Sequence, residues 1–170
     1  MFELFVEYRD VAQWLISIVL GFAMFRWGSA PERFVAAVFV GLFTLPIIVF
    51  EVILGIPLLY AAGGLYYASI DIVAAIAFTV IAVNANRNYT LWIAGFQLVA
   101  MSAHGVRFVT EAVTPLAHAV MVIGPSYFQL ALMAVGLFRH VSRSKRYGEY
   151  RDWRVPRREI KLAMVAGGEG

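Results

Sequence analysis

Polar side chains recur at a helical spacing within one apolar segment of the chain. Gln97, His104 and Glu111 are seven residues apart, and Arg107 follows His104 by three. Residues at these spacings lie on one face of an α-helix. Their types could support hydrogen bonding between helices, ligation of haem iron or proton transfer. A polar stripe on an apolar helix has to face protein, water or a ligand.

Three more titratable residues are predicted to lie at the same level of the molecule. Asp71 lies about 9 Å inside the third predicted helix at ~1.5 Å per residue. Glu51 ends the second helix and His118 lies near the start of the fifth. The predicted polar cluster is therefore Glu51, Asp71, Gln97, His104, Arg107, Glu111 and His118.

The first interpretation of this cluster is structural. Asp71 would pair with Arg107, while Gln97 and His104 would form hydrogen bonds to neighbouring helices. Each such bond is worth on the order of 0.6 kcal/mol inside a membrane, and up to about 1.7 kcal/mol. The cluster would then hold the helices together.

A second interpretation makes His104 and His118 the axial ligands of a b-type haem, because they share a depth on neighbouring helices. Such ligands need their other ring nitrogen held by a further group, and the sequence shows none.

A third interpretation is a proton or ion path from Glu51 and Asp71 through His104. The other half of every predicted span is nearly free of ionisable groups, so that path would stop halfway.

The elements that carry these residues are long apolar segments. The chain is 61% hydrophobic and its mean hydropathy is +0.75. A membrane-spanning helix needs about 20 mostly apolar residues. We therefore predict an all-α integral membrane bundle of five transmembrane helices in residues 1–140, with spans at about 8–25, 33–50, 65–83, 90–109 and 116–138, and a basic cytoplasmic tail at 141–170.

Two local features of the spans are predicted from proline and glycine. Pro46 should kink the second span, because its ring removes a backbone hydrogen bond and clashes one turn back. The stretch 51–66 contains Gly55, Pro57 and Gly63. It is predicted to be an apolar connection rather than a span.

The distribution of positive charge predicts the orientation. With five spans, all of the 14 basic residues except Arg9 and Arg107 fall on one side. Positively charged loops stay in the cytoplasm, so the N-terminus is predicted outside and the tail inside. Four or six spans would scatter the same charges over both faces. The predicted localisation is the bacterial inner membrane.

Composition also excludes several classes of function. The absence of cysteine removes disulfides, thiolate metal sites and cysteine nucleophiles. The net charge of +3 does not indicate nucleic-acid binding, because the basic residues lie where a membrane protein places them. Ser102 points away from His104 on a helix, and no nucleophile–base pairing is readable, so no enzymatic activity is predicted.

The tail combines basic and aromatic residues. Contact with anionic lipid headgroups is worth about 1 kcal/mol for each nearby Lys or Arg. The residues predicted to make this contact are Arg143, Lys145, Arg146, Arg151 and Arg154.

Several short motifs carry a resemblance. They are Pro31-Glu32-Arg33, Asp71, Leu91-Trp92, Gly95-Phe96-Gln97-Leu98, His104, Arg107, Ala117 and Ser126-Tyr127. With them, residues 10–140 resemble a group of small bacterial polytopic membrane proteins that have no assigned activity. The resemblance implies the five-helix topology and nothing about chemistry.

The sequence thus predicts a non-enzymatic membrane protein without a cofactor. It would act as an accessory or scaffold subunit that associates with other membrane proteins or with itself. The alternatives are a b-haem electron-transfer subunit and a small permease or channel.

Overall fold

The computed structural model has five helices in the residues that it describes. It describes the backbone of residues 2–56, 58–109, 115–148 and 151–154, and side chains within 11–56, 66–106, 120–121, 123–148 and 151–154. The helices are α1 (Phe2–Trp27), α2 (Ala30–Ile53), α3 (Leu58–Asn84), α4 (Asn88–Val109) and α5 (Pro115–Tyr147). These residues contain no strand. The predicted all-α class is confirmed.

Helix α2 changes from α-helical to π-helical turns on both sides of Pro46. π-Helical turns at Val40–Thr44 and Ile48–Ile53 flank the short α-helical piece Leu45–Ile47. Proline cannot donate a backbone hydrogen bond and its ring collides with the carbonyl one turn back. The wider π turn makes room for such a defect. The structure thus has widened turns in a continuous helix at Pro46, and the predicted kink there stays a prediction.

Most of the stretch predicted as an apolar connection is helical. Helix α2 continues to Ile53 and α3 begins at Leu58, so described non-helical backbone is confined to residues 54–56. Gly55 has a φ of 65°, a left-handed conformation that glycine adopts at little cost. The apolar residues on either side offer the backbone no competing polar partner, and helical hydrogen bonding extends through them.

Consecutive helices pack side by side. Helix α1 contacts α2 and α5, α3 contacts α2 and α4, and α4 contacts α5. The core includes Met24 of α1, Phe39 of α2, Phe78 of α3, Ile93 of α4 and Met133 of α5. Each of the five helices therefore supplies a buried apolar side chain to one common core.

One end of the bundle, which we call the tail end, carries three chain reversals. Helix α1 ends there before α2 begins, α3 ends there before α4 begins, and α5 ends at Tyr147. Gly148, with a φ of 76°, then turns the chain, as glycine commonly does after a helix. Residues 151–154 return to the reversal between α3 and α4 and form an isolated β-bridge between Ala85 and Trp153.

Two helices among the described residues are long and apolar enough to cross a membrane by length and composition. They are Ala30–Ile53 and Tyr66–Asn84. The apolar part of α1, Val11–Trp27, is shorter. These lengths are weak evidence of membrane association, since a buried core helix of a soluble protein can satisfy the same criterion.

Candidate functional site

A chain of hydrogen-bonded side chains joins α3, α4 and α5. We call it the Asp71 chain: His104, Asp71, Gln97 and Gln129. Asp71 Oδ2 lies 2.8 Å from His104 Nε2, and Asp71 Oδ1 accepts a hydrogen bond from Gln97 Nε2 at 2.8 Å. Gln129 Nε2 donates to Gln97 Oε1 at 2.9 Å and to the carbonyl of Ile93 at 3.2 Å.

The Asp71 chain is buried at all but one of its members. Asp71, Gln97 and Gln129 are buried, whereas the His104 side chain keeps 17% of its surface exposed. Polar groups removed from water have to find hydrogen-bond partners, and each of these groups finds one on a neighbouring helix. The chain therefore ties three helices together and opens outward only at His104.

The predicted cluster is brought together in part. Asp71, Gln97 and His104 do meet as expected, although the partners of Asp71 described here are Gln97 and His104. Glu51 lies exposed on α2 and does not join the chain. The side chains of Arg107 and His118, and Glu111 as a whole, fall outside the described residues. The pairing of Asp71 with Arg107 and the haem ligand pair stay predictions.

The side of α4 opposite the Asp71 chain is apolar. Trp92 and Val99 are exposed, and Phe96 stacks on Phe128 of α5 at a centroid distance of 4.9 Å. The hydroxyl of Ser102 donates to the carbonyl of Leu98 at 2.7 Å, which occupies it within its own helix.

A second polar cluster lies at the tail end and is centred on Arg87. We call it the Arg87 cluster: Ser29, Glu32, Arg87 and Asp152. Arg87 Nε donates to Glu32 Oε1 at 3.1 Å, and Nη2 donates to Asp152 Oδ1 at 2.9 Å and to Ser29 Oγ at 3.2 Å. The Ser29 hydroxyl in turn donates to the Glu32 carboxylate. The side chain of Glu32 is fully buried and that of Arg87 nearly so.

The guanidinium of Arg87 uses every donor that it has. Its Nη1 donates to the backbone carbonyls of Asn86 at 3.1 Å and Arg151 at 3.3 Å. With the three bonds above, all five N–H groups of an arginine are engaged. Arg87 thereby connects the start of α2, the reversal between α3 and α4, and residues 151–154.

In the sequence, Arg87 counts only as one of the basic residues on the predicted cytoplasmic side. Glu32, Asp152 and Gln129 are not among the predicted site residues. One local signal was available, because Ser29-Ala-Pro-Glu32 has the spacing of a capping box. Gln129 lies on an apolar helix, where a lone amide suggests a buried partner. Asp152 lies far along the chain from Arg87, and no sequence spacing could have paired them.

An apolar layer separates the two polar groups. Along α3, Phe78 lies between Asp71 and Arg87, and along α4 Ile93 lies between Arg87 and Gln97. Phe78 and Ile93 are both fully buried core residues. Fully buried apolar side chains of α3 and α4, together with the buried Thr90, therefore lie between the Asp71 chain and the Arg87 cluster.

The residues predicted to contact lipid headgroups all lie at the tail end. Arg143, Lys145 and Arg146 are exposed near the end of α5, and Arg151 and Arg154 are exposed beyond it. Among the described side chains, no group of three His, Cys, Asp or Glu residues is placed to hold a metal ion.

Comparison with known proteins adds no assignment to this geometry. No protein-family model, curated protein or solved structure matches the chain. The resemblance to small bacterial polytopic proteins stays a prediction, and the function has to be argued from the molecule itself.

Proposed function

We propose that the chain is a five-helix integral protein of the bacterial inner membrane, with its N-terminus outside and its tail in the cytoplasm. It would act without enzymatic activity, as an accessory or scaffold subunit. The observation that carries this proposal is the distribution of polarity. The inside holds charged and amide side chains, whereas the outside holds large apolar ones.

The outward surface supports a lipid environment. Val19 and Phe22 of α1, Ile76 of α3, Trp92 of α4 and Phe138 of α5 are each more than 60% exposed. Soluble monomers rarely expose a contiguous apolar patch larger than a few hundred Å². Here such residues occur on several helices, so the surface suits a bilayer or other membrane proteins.

The charge at the tail end supports the proposed orientation. Arg26 and Arg33 lie on either side of the reversal between α1 and α2, and Arg87 lies in the reversal between α3 and α4. These join the basic residues after α5 at a single end. Positive residues at one end favour its placement in the cytoplasm, next to anionic lipid headgroups.

The proposed role as a subunit is supported by the hydrogen bonds of the buried polar side chains and by an apolar groove on the surface. The Asp71 chain and the Arg87 cluster are satisfied by contacts within the bundle. An apolar groove between α1 and α5 is left open on the surface, and its lining includes the small residues Ala23, Ala131 and Ala134 beside Leu15, Val19 and Tyr127. Small residues let membrane helices approach closely, so this groove suits a helix of another subunit or copy.

The two alternative functions receive less support from the geometry. For the b-haem alternative, the contact of His104 Nε2 with Asp71 supplies the held ring nitrogen that a ligand needs, but the side chain of the second ligand, His118, lies outside the described residues. A permease or channel would need a polar route, and the buried apolar residues Phe78 and Ile93 lie between the two polar groups.

The test is purification of the tagged protein from native membranes in mild detergent. We expect a stoichiometric membrane partner or a defined oligomer, and a colourless protein. Ala131→Phe fills the groove and should abolish the association. Val135→Phe, on an exposed position of α5 that does not line the groove, is the matched control and should leave it intact.

Three results would contradict the proposal. One is a protein that purifies as a monomer with or without Ala131→Phe. Another is a Soret absorption band that is lost in His104→Ala, which would favour haem. The third is ion flux in liposomes that Asp71→Asn reduces, which would favour a permease.

A further inference from the structure

Residues Arg151–Arg154, which we call the tail strap, are held against the tail end by the backbone. The amide of Asn86 donates to the carbonyl of Asp152 at 2.9 Å, and the amide of Arg154 donates to the carbonyl of Asn84 at 2.8 Å. These two bonds enclose the bridge between Ala85 and Trp153. The backbone of the tail strap is therefore fixed against the reversal between α3 and α4.

The side chain of Asp152 also holds the tail strap against the bundle, through two hydrogen bonds. Its Oδ1 accepts from Arg87 Nη2 at 2.9 Å, and its Oδ2 accepts from the backbone amide of Ala30 at 3.4 Å. Arg87 is itself fixed by the buried Glu32. A partly exposed carboxylate of the tail strap thus bonds to the buried Arg87 and to the start of α2, which sets the rotation of the strap.

The outward side of the tail strap is aromatic and basic. The ring of Trp153 packs against that of Phe34 on α2, with centroids 5.9 Å apart and planes inclined by 59°. Phe34 keeps 55% of its surface exposed and Trp153 keeps 37%. Arg151, Arg154 and Arg33, the neighbour of Phe34, are also exposed.

We propose that this surface, formed by Arg33, Phe34, Arg151, Trp153 and Arg154, is a binding site for an anionic phospholipid of the cytoplasmic leaflet. This inference rests on the proposed membrane topology and deepens it. Guanidinium groups bind phosphate through paired N–H donors. Tryptophan with a polar edge and an apolar face favours the level of the headgroups.

The combination of groups selects a lipid rather than a free phosphate. Phe34 lies one turn inside α2, on an outward face that the bilayer would cover. The Trp153 ring continues that face toward the end of the bundle. A phospholipid can contact this apolar pair with its glycerol and acyl region while its phosphate meets the arginines, whereas inorganic phosphate has no part that matches the rings.

A lipid site that depends on the tail strap predicts a different effect of Asp152→Asn than simple charge attraction does. Asp152→Asn raises the net positive charge of the tail end by one unit, which by itself should strengthen attraction to anionic lipid. If the site depends on a strap held by Asp152 and Arg87, the same substitution should weaken lipid binding.

The experiment measures phosphatidylglycerol binding to the full-length protein in phosphatidylcholine nanodiscs, with native mass spectrometry as readout. Arg151→Gln with Arg154→Gln should lower the affinity by about tenfold or more, at roughly 1 kcal/mol per lost basic group. Trp153→Ala and Asp152→Asn should each lower it several-fold. Lys145→Gln with Arg146→Gln removes the same charge from the end of α5 and should have a clearly smaller effect.

Several results would overturn the inference: equal losses from the two double variants, unchanged or stronger binding in Asp152→Asn, or competition by millimolar inorganic phosphate. Alkaline carbonate extraction distinguishes this failure from failure of the proposed function. A protein that carbonate releases from membranes is not integral, and the proposed function fails. A protein that stays in the membrane yet binds phosphatidylglycerol no better than phosphatidylcholine contradicts the lipid site alone.

Discussion

At the scale of single residues, the Asp71 chain and the Arg87 cluster differ in the number of chain segments that one side chain connects. In the Asp71 chain each side chain bonds to the next member of the chain, and these bonds cross between three helices. In the Arg87 cluster a single guanidinium joins the start of α2, the reversal between α3 and α4, and the tail strap. Lysine offers a point charge in place of a planar fork and could not reproduce these contacts.

The two glutamates on α2 are expected to contribute differently to the free energy of unfolding, because only one of them is buried. Glu32 is fully buried against Arg87, and Glu51 is exposed. We expect Glu32→Gln to lower the free energy of unfolding by about 1.5–3 kcal/mol, the usual worth of a hydrogen bond to a charged group. Glu51→Gln, the same change on the same helix, should stay within about 0.5 kcal/mol.

Thermal unfolding in detergent, followed by circular dichroism, measures both glutamate variants. A clear drop in the unfolding midpoint for Glu32→Gln only is the expected result. Equal midpoints for the two variants would show that the Arg87 cluster does not stabilise the bundle.

At the scale of elements, side-chain volume at the helix contacts decides how closely α4 and α5 approach. Gly136 of α5 is buried, and a Cβ atom there would lie 2.8 Å from the ring of Tyr89. Gly95 of α4 has no neighbouring atom within 4 Å of the same position.

Substitution by alanine should therefore have opposite effects at these two glycines. Gly136→Ala forces the Tyr89 ring or the helix to move and should destabilise the protein by about 1–3 kcal/mol, as overpacking does. Gly95→Ala fills open space and should be neutral or stabilising by up to about 1 kcal/mol, because alanine favours the helix. The unfolding midpoints of both variants test this, and a shift in the same direction would contradict the packing described.

At the scale of the whole molecule, polarity is distributed from the inside outward. Buried charged and amide residues lie at the tail end and in the Asp71 chain, whereas the outer faces of the helices are apolar. This distribution supports the proposed crossing of the bilayer by all five helices.

The topology has a direct test because the chain contains no cysteine. Ile56→Cys lies between α2 and α3, and Asn86→Cys lies between α3 and α4; both positions are exposed. We expect a membrane-impermeant thiol reagent to label Ile56→Cys in intact cells and Asn86→Cys only after the membrane is opened. Labelling of both from the same side would show that α3 does not cross, and detergent-solubilised protein is the control for reactivity.

The sequence by itself determined the helices and part of the Asp71 chain. Long apolar runs and short polar reversals predict helices, because period and length are local properties of the chain. Helical spacing places Gln97 and His104 on one face, and the depth of Asp71 places it beside that face, although the sequence paired it with Arg107. These inferences depend on the geometry of a single helix, or on residues that lie at the same depth on neighbouring helices.

Only the tertiary structure decided the Arg87 cluster, the tail strap and the place of Gln129. Arg87, Glu32 and Asp152 come from three distant parts of the chain, and each looks like an ordinary surface residue beside a loop. The burial of Arg87 and Glu32, and the partial burial of Asp152, result from the way the helix ends meet, which no periodicity encodes. The free energy of removing such charges from water makes their pairing obligatory, but the choice of partner depends on the folded arrangement.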